Sequence, residues 1–266
     1  MKNKFITAFL VSIFSLSLLA LTEAEEFNFD ITELQITNKG NTIKGINGGT
    51  VTTKDNQIII TADNFKYNKL TTLLEAEGNA KLVDKTADVI IESNQIFYLK
   101  DKEEIYTNGK SKALNGPSIE INADEYFKYN KLTSLLEAKG NVKLDDRNED
   151  VVIYTNEIHY LKNIEKISTI GKTNIIIEDK YNINGNSITL FKNKMILSSI
   201  EKATITDNNS NFYELDQFEY SINTEILKGE GIKITRNEKI NKNDQFYFKK
   251  GFFNLKENKF LGKDVD

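Results

Sequence analysis

An all-β fold, one long antiparallel sheet folded over on itself, is predicted by three features of the chain. A unit of 31 residues recurs, apolar side chains alternate with a period of two inside each unit, and no 3.6-residue period persists after residue 24. The glycines Gly78, Gly109, Gly140 and Gly171 mark the unit. Each stands in a segment whose fullest form is Leu-x-Ala-x-Gly-x-Val-x-Leu. The repeat is clearest at twice the period, where Phe65 to Lys100 aligns without gaps on Phe127 to Lys162. Fainter copies run from Tyr181 to Ile205 and from Phe212 to Ile234, which makes about six units of two strands and twelve or so strands.

The first 24 residues read as an export signal. Lys2 and Lys4 precede the apolar run Phe5 to Leu21, and Thr22-Glu23-Ala24 supplies small residues for a signal peptidase. A run of about 17 residues is at the short end for a membrane-spanning helix, so cleavage before Glu25 and an uncleaved anchor both stay open. Residues 25–266 are expected to form one domain, incomplete at its C-terminus. The chain has no cysteine, so neither disulfides nor a lipidated N-terminal cysteine hold or tether it. A net charge of -4, spread along the sequence, gives no basic face for nucleic acid.

Each unit is predicted to be a hairpin of two bent strands. In the first strand the apolar face runs Ile58, Ile60, Ala62, then slips by one residue to Phe65 and Tyr67. The same slip separates Val89, Ile91, Ser93 from Ile96, Tyr98, and Val151, Ile153, Thr155 from Ile158, Tyr160. A one-residue slip at a fixed height is what a bulge produces. Asn68-Lys69 then turns the chain, and Leu74, Ala76, Gly78, Ala80 and Leu82 return on one face. The inward set is large at the strand ends and small in the middle, where a glycine permits a sharp bend. The extra residue in Ala123-Asp124-Glu125-Tyr126-Phe127, against Ala62-Asp63-Asn64-Phe65, is expected to enlarge the bulge. Pro117 falls in a loop between units.

Catalytic chemistry finds little support. His159 is the single histidine, and it replaces Phe97 of the preceding copy, which makes it a substituted packing or surface position. No zinc site or other cofactor is expected. The neighbours Glu103 and Glu104, and Asp145 and Asp146, would diverge or lie in solvent. Asp63 with Asp124, and Asp88 with Asp150, repeat with the unit and read as bend or turn residues. Gly48-Gly49 lacks the following helix that a phosphate loop needs.

The unit Ile121-Asn122-Ala123-Asp124, then Tyr129-Asn130, then Leu136-Glu137-Ala138-Lys139-Gly140-Asn141-Val142-Lys143-Leu144, resembles the repeat of the OstA-like superfamily. Its members include the periplasmic lipopolysaccharide-transport protein LptA and the N-terminal domain of the outer-membrane assembly protein LptD. Asn41 to Gly45 with Gly48 to Thr52 is similar to the start of such a domain, and Gly251 to Leu255 with Asn258 to Leu261 to its last hairpin. The resemblance implies a β-jellyroll, or β-taco, and a non-enzymatic role: sheathing the acyl chains of lipopolysaccharide in the periplasm during outer-membrane assembly. It implies further jellyroll modules as partners through edge-strand addition, and outer-membrane assembly partners if the chain belongs with LptD. The departure is that no barrel-like strands follow before Asp266.

Strand parity alone reaches as far as a long apolar groove, open along one side. Its expected lining is Ile58, Ile60, Leu74, Val89, Ile91, Ile105, Ile119, Ile121, Leu136, Val151, Ile153 and Ile167. The alternative is a structural or adhesive parallel β-helix with a filled interior.

Overall fold

The computed structural model describes residues 26–237, 242–257 and 259–265. The expected signal segment lies outside the described residues. The chain begins with two long strands, β1 (Phe27–Thr37) and β2 (Thr42–Thr53). The next pass is split at Asp63 into β3 (Ile58–Ala62) and β4 (Asn64–Asn68), and two unbroken passes follow, β5 (Leu73–Asp84) and β6 (Val89–Leu99). The pattern continues with β7 (Glu104–Thr107), β8 (Ser111–Asn115), β9 (Ile119–Ala123), β10 (Tyr126–Asn130), β11 (Leu135–Asp146), β12 (Val151–Leu161) and β13 (Lys166–Ile177). The last stretch comprises β14 (Tyr181–Asn186), β15 (Thr189–Phe191), β16 (Ile196–Ser199), β17 (Ala203–Asp207), β18 (Phe212–Leu215), β19 (Gln217–Ser221), β20 (Ile226–Asn237), β21 (Lys242–Asn254) and β22 (Lys259–Val265).

These 22 strands form one sheet, and every pairing in it is antiparallel. The parallel-coil alternative therefore does not describe this chain. Two consecutive short strands do the work of one long one. β6, for example, pairs along one edge with β7 and β8 in turn. With such halves joined, the chain makes sixteen passes, each beside the next, where about twelve were expected. The extra passes lie at the two ends, where the sequence repeat has faded but alternation has not. Hydrogen bonding between backbones needs only alternation to keep one face dry, so the stack outlasts the recognisable repeat.

The crease falls where the parity slips. Register shifts occur between Glu77 and Ala80, between Lys139 and Val142, and between Thr155 and Glu157. At the first two, Gly78 (φ +80) with Asn79 (φ +48), and Gly140 (φ +86) with Asn141 (φ +44), take the left-handed conformation that turns a strand sharply. The residue inserted into the third unit sits there too. Asp124 and Glu125 together separate β9 from β10, where Asp63 alone separates β3 from β4.

The crease divides each pass into two arms. The first arm carries Phe27, Val51, Ile60, Leu82, Ile91 and Ile121 inward, and the second carries Ile43, Tyr67, Leu74, Tyr98, Ile105 and Tyr129. Along the sheet Phe27 is paired with Thr53, yet its ring meets Tyr67 at 5.0 Å and Tyr98 at 5.8 Å on the opposite arm. Tyr181 and Tyr220 likewise meet across the interior at 5.6 Å. The sheet therefore curls over as a flattened barrel around one continuous core.

Candidate functional site

The interior runs the length of the stack. All twelve residues expected to line it, from Ile58 to Ile167, are buried in that core and at most 6% exposed. Parity placed them correctly, because one shared face had to be dry. The interior is also filled. A cavity of about 30 Å³ between Tyr213, Ile234, Phe246, Phe253 and Phe260 lies at the C-terminal end, room for roughly one water molecule. A larger cleft of about 640 Å³, lined by Ile200, Phe252 and Leu261, is on the outer face and away from the core.

At the crease the inward side chains are small, and they alternate between alanine and hydroxyl residues. Ala62, Ala76 and Ala80 are followed by Ser93, Thr107 and Ser111, and later by Thr155, Thr169 and Thr173. The hydroxyls replace ladder partners lost at the break. Thr107 Oγ1 accepts from Phe127 N at 2.8 Å and from Ser111 Oγ at 2.7 Å, and Thr169 Oγ1 accepts from Ile188 N at 2.9 Å. Buried backbone donors need such partners. Sequence reading took these positions only as small.

The opposite side, the mouth between the two rows of turns, is not open as expected. It is bridged by side chains. Asp84 ends the first-arm half of β5 on the inward parity of Ala80 and Leu82, and its side chain is fully buried. One oxygen caps the following turn, accepting from Thr86 N at 3.0 Å and Ala87 N at 3.2 Å. The other has no hydrogen bond of its own and faces Lys131 Nζ of the second lip at 3.2 Å. One double unit further on, Asp146 repeats the arrangement with Lys192. Between them, Lys162 Nζ donates to the carbonyl of Ala87 at 2.6 Å. Nearer the C-terminus Tyr181 Oη donates to Glu225 at 2.7 Å, again from lip to lip.

The lysines of this row occupy one repeated turn position. Lys69, Lys100, Lys131, Lys162 and Lys192 each donate the backbone N–H to a carbonyl of the preceding turn on the same lip, at 2.9 to 3.1 Å. Just inside them stand Tyr67, Tyr98, Tyr129 and Tyr160, buried, one per unit. Burial raises the phenols of Tyr98, Tyr129 and Tyr160, with neighbouring carboxylates adding to it. Tyr129 and Tyr160 are pushed up to about 12, and Tyr98, which also donates to Glu103 at 2.8 Å, lies above the usual phenol range. Burial also lowers Lys162, against the pull of Asp84 and Asp88.

The remaining polar candidates are structural. Asp63 and Asp124 sit on the outside of the crease and accept from Asn79 and Asn141 at 2.9 Å. Asp88 and Asp150 are turn residues with φ near +50°. Glu103 and Glu104 do diverge, as do Asp145 and Asp146, but Asp146 goes into the mouth and not into solvent. Its phase with Leu144 was the available signal. His159 is on the outer face of β12, its Nε2 3.0 Å from Glu157 Oε1. Among the described residues no group of three or more metal-binding side chains gathers.

No family model matches the chain, and no curated protein matches it. Among solved structures, the TCP10 domain of Danio rerio CPAP in complex with a peptide of Danio rerio STIL aligns with 80% of this chain and 96% of its own, at 7% identity and a TM-score of 0.18. A likeness that low carries no argument about fold or function.

Proposed function

We infer that this chain is a lipopolysaccharide-binding and transport module, a β-jellyroll of the taco type whose interior sheathes acyl chains between two membranes. The observation that carries this reading is the asymmetry of the long apolar interior. Backbone runs unbroken across the crease, whereas side chains alone hold the mouth shut. The choice of lipopolysaccharide rests on the likeness of residues 121–144 to the OstA-like repeat. Periplasmic placement rests on the expected signal segment.

Magnitudes favour loading. A chain of roughly 12 to 14 carbons leaving water gains on the order of 10 kcal/mol, at about 0.8 kcal/mol per methylene. The lip-to-lip ion pairs resist opening by far less, because the Coulomb attraction of a buried pair is largely offset by the desolvation of its members. An acyl chain that replaces arm-to-arm contacts keeps the core dry while the headgroup stays in the mouth. β1 pairs only with β2, and β22 only with β21, among the described residues. Those edges suit strand addition by further modules of the same kind.

A second reading is a structural antiparallel stack with a permanently filled core, favoured by the tight packing of the interior. Photo-crosslinking of lipopolysaccharide in the periplasm separates the two, with the probe at inward Ile121 and, as control, at outward Glu120. Adducts at Ile121 alone support the carrier. Equal adducts at both sites overturn the parity, and none at either leaves the filled stack.

A further inference from the structure

The two lips of the mouth differ in a way that lipid loading does not require. Turns of the second lip, from Asn38–Gly40 through 69–72, 100–103, 131–134, 162–165, 192–195 and 222–225 to the described residues 255–257, carry nine lysines against five acids. Described turns of the first lip, 54–57, 85–88, 116–118, 147–150, 178–180 and 208–211, carry four basic residues against six acids. Large apolar residues at turn tips follow the same division. Leu70 and Leu132, repeat-equivalent, are 75% and 74% exposed, and Ile164 is 47% exposed, all three on the second lip. The first-lip turns have no exposed large apolar side chain among the described residues.

Isolated exposed leucines are ordinary on any protein surface. A row of them interleaved with exposed lysines, on one lip only, is a different feature. Lys39, Lys102 and Lys194 are exposed on intervening second-lip turns, and none of them makes an ion pair among the described residues, Lys194 lying 5.9 Å from the Phe191 ring centroid. Two of the lip acids are already engaged: Glu103 by Tyr98, Lys100 and Lys131, and Glu225 by Tyr181. Successive second-lip hairpins are two strands apart, roughly 10 Å, so the row from Leu70 to Lys194 spans roughly 40 Å.

We propose that the second lip docks on the surface of an anionic phospholipid bilayer. Leu70, Leu132 and Ile164 enter the interfacial layer, while Lys39, Lys102 and Lys194 meet lipid phosphates. Apolar tips set between lysines match that surface in both polarity and charge. The acidic first lip faces away from it. Docked in this way, the mouth lies along the membrane, where an amphiphile can pass sideways into the interior. That use rests on the carrier reading, whereas the docking itself does not.

The test is flotation of the chain from Glu25 onward, which contains the whole described fold, with vesicles of phosphatidylglycerol and phosphatidylcholine or of phosphatidylcholine alone. The parent chain is expected to float with the anionic vesicles, to be released by raised salt, and to bind neutral vesicles at least tenfold more weakly. The L70S/L132S/I164S variant and the K102E/K194E variant should each lose at least tenfold in binding with an unchanged strand signal in circular dichroism. A K54E/K85E variant on the first lip should bind as the parent does. Equal binding to neutral vesicles, no binding to either kind, or full binding by the serine variant overturns the proposal. Crosslinking at Ile121 with soluble lipopolysaccharide and no vesicles reports on the carrier reading separately. Vesicle binding without that adduct leaves the lip and removes the carrier; the adduct without vesicle binding does the reverse.

Discussion

The crease and the mouth run the same length along the same stack, and they are held by opposite means. At the crease each pass is continuous backbone, bent by left-handed residues at Gly78-Asn79 and Gly140-Asn141 and closed by hydroxyls that accept the freed N–H groups. At the mouth the contacts are side chain to side chain or side chain to carbonyl: Asp84 to Lys131, Asp146 to Lys192, Lys162 to Ala87, Tyr181 to Glu225. A line of covalent chain can bend but not part. A line of ion pairs can part and reform, so any opening of the interior is hinged at the crease.

Breaking the crease is expected to have the largest effect. Gly140 is at φ +86, and a Cβ there would lie 2.8 Å from Glu125 N and 2.5 Å from its Cγ. Gly140→Val should destabilise the fold by on the order of 3 kcal/mol, the sum of backbone strain and overpacking, read as a fall in the urea midpoint. Breaking the mouth should cost less and do something different. Asp84→Ala removes both a turn cap and one partner of Lys131, but Lys131 keeps Glu103 and access to water, so a loss of about 2 kcal/mol is expected. The same variant should take up an apolar fluorescent probe faster than the parent, whereas Gly140→Val should not. Slower uptake by Asp84→Ala would remove the distinction between the two lines.

Alkali sharpens the comparison, because the raised phenols stand on the mouth side. Tyr129 and Tyr160 titrate near 12 in the folded chain and near 10 when unfolded. Their neutral form is the one favoured by folding, so their contribution is complete below pH 10 and is lost as pH rises towards 12. Thermal unfolding should fall steeply across that window and less steeply in Tyr129→Phe. The smallest effect is expected at His159, which contacts Glu157 on the outer face. His159→Phe, the residue of the preceding copy, should change stability by no more than about 0.5 kcal/mol.

How much of this was legible beforehand differs between the two lines. The crease was readable: the parity slip at Ala62 and Phe65, the recurring glycines and the extra residue before Tyr126 located it, because a bend in a strand leaves a period-two pattern out of phase. The inward lining from Ile58 to Ile167 was readable for the same reason. The mouth was not. Asp146 was expected only to diverge from Asp145 or lie in solvent, although it shares phase with Leu144, and nothing in one dimension pairs it with Lys192. The end passes, β1 and β2 at one end and β21 and β22 at the other, fell outside the count because the repeat had drifted while the alternation survived.

The sequence by itself determined that the chain is all-β, where each strand bends and which face is dry, since these depend on neighbours two or 31 residues apart. Tertiary structure decided that the interior is filled, that the two lips are joined by charge, and that one lip is basic and leucine-tipped while the other is acidic. Those features depend on which turns the folding-over brings to the same side, and contacts between residues 44 or more apart, such as Tyr181 with Glu225 and Asp146 with Lys192, follow from the stacking of passes and not from any local preference.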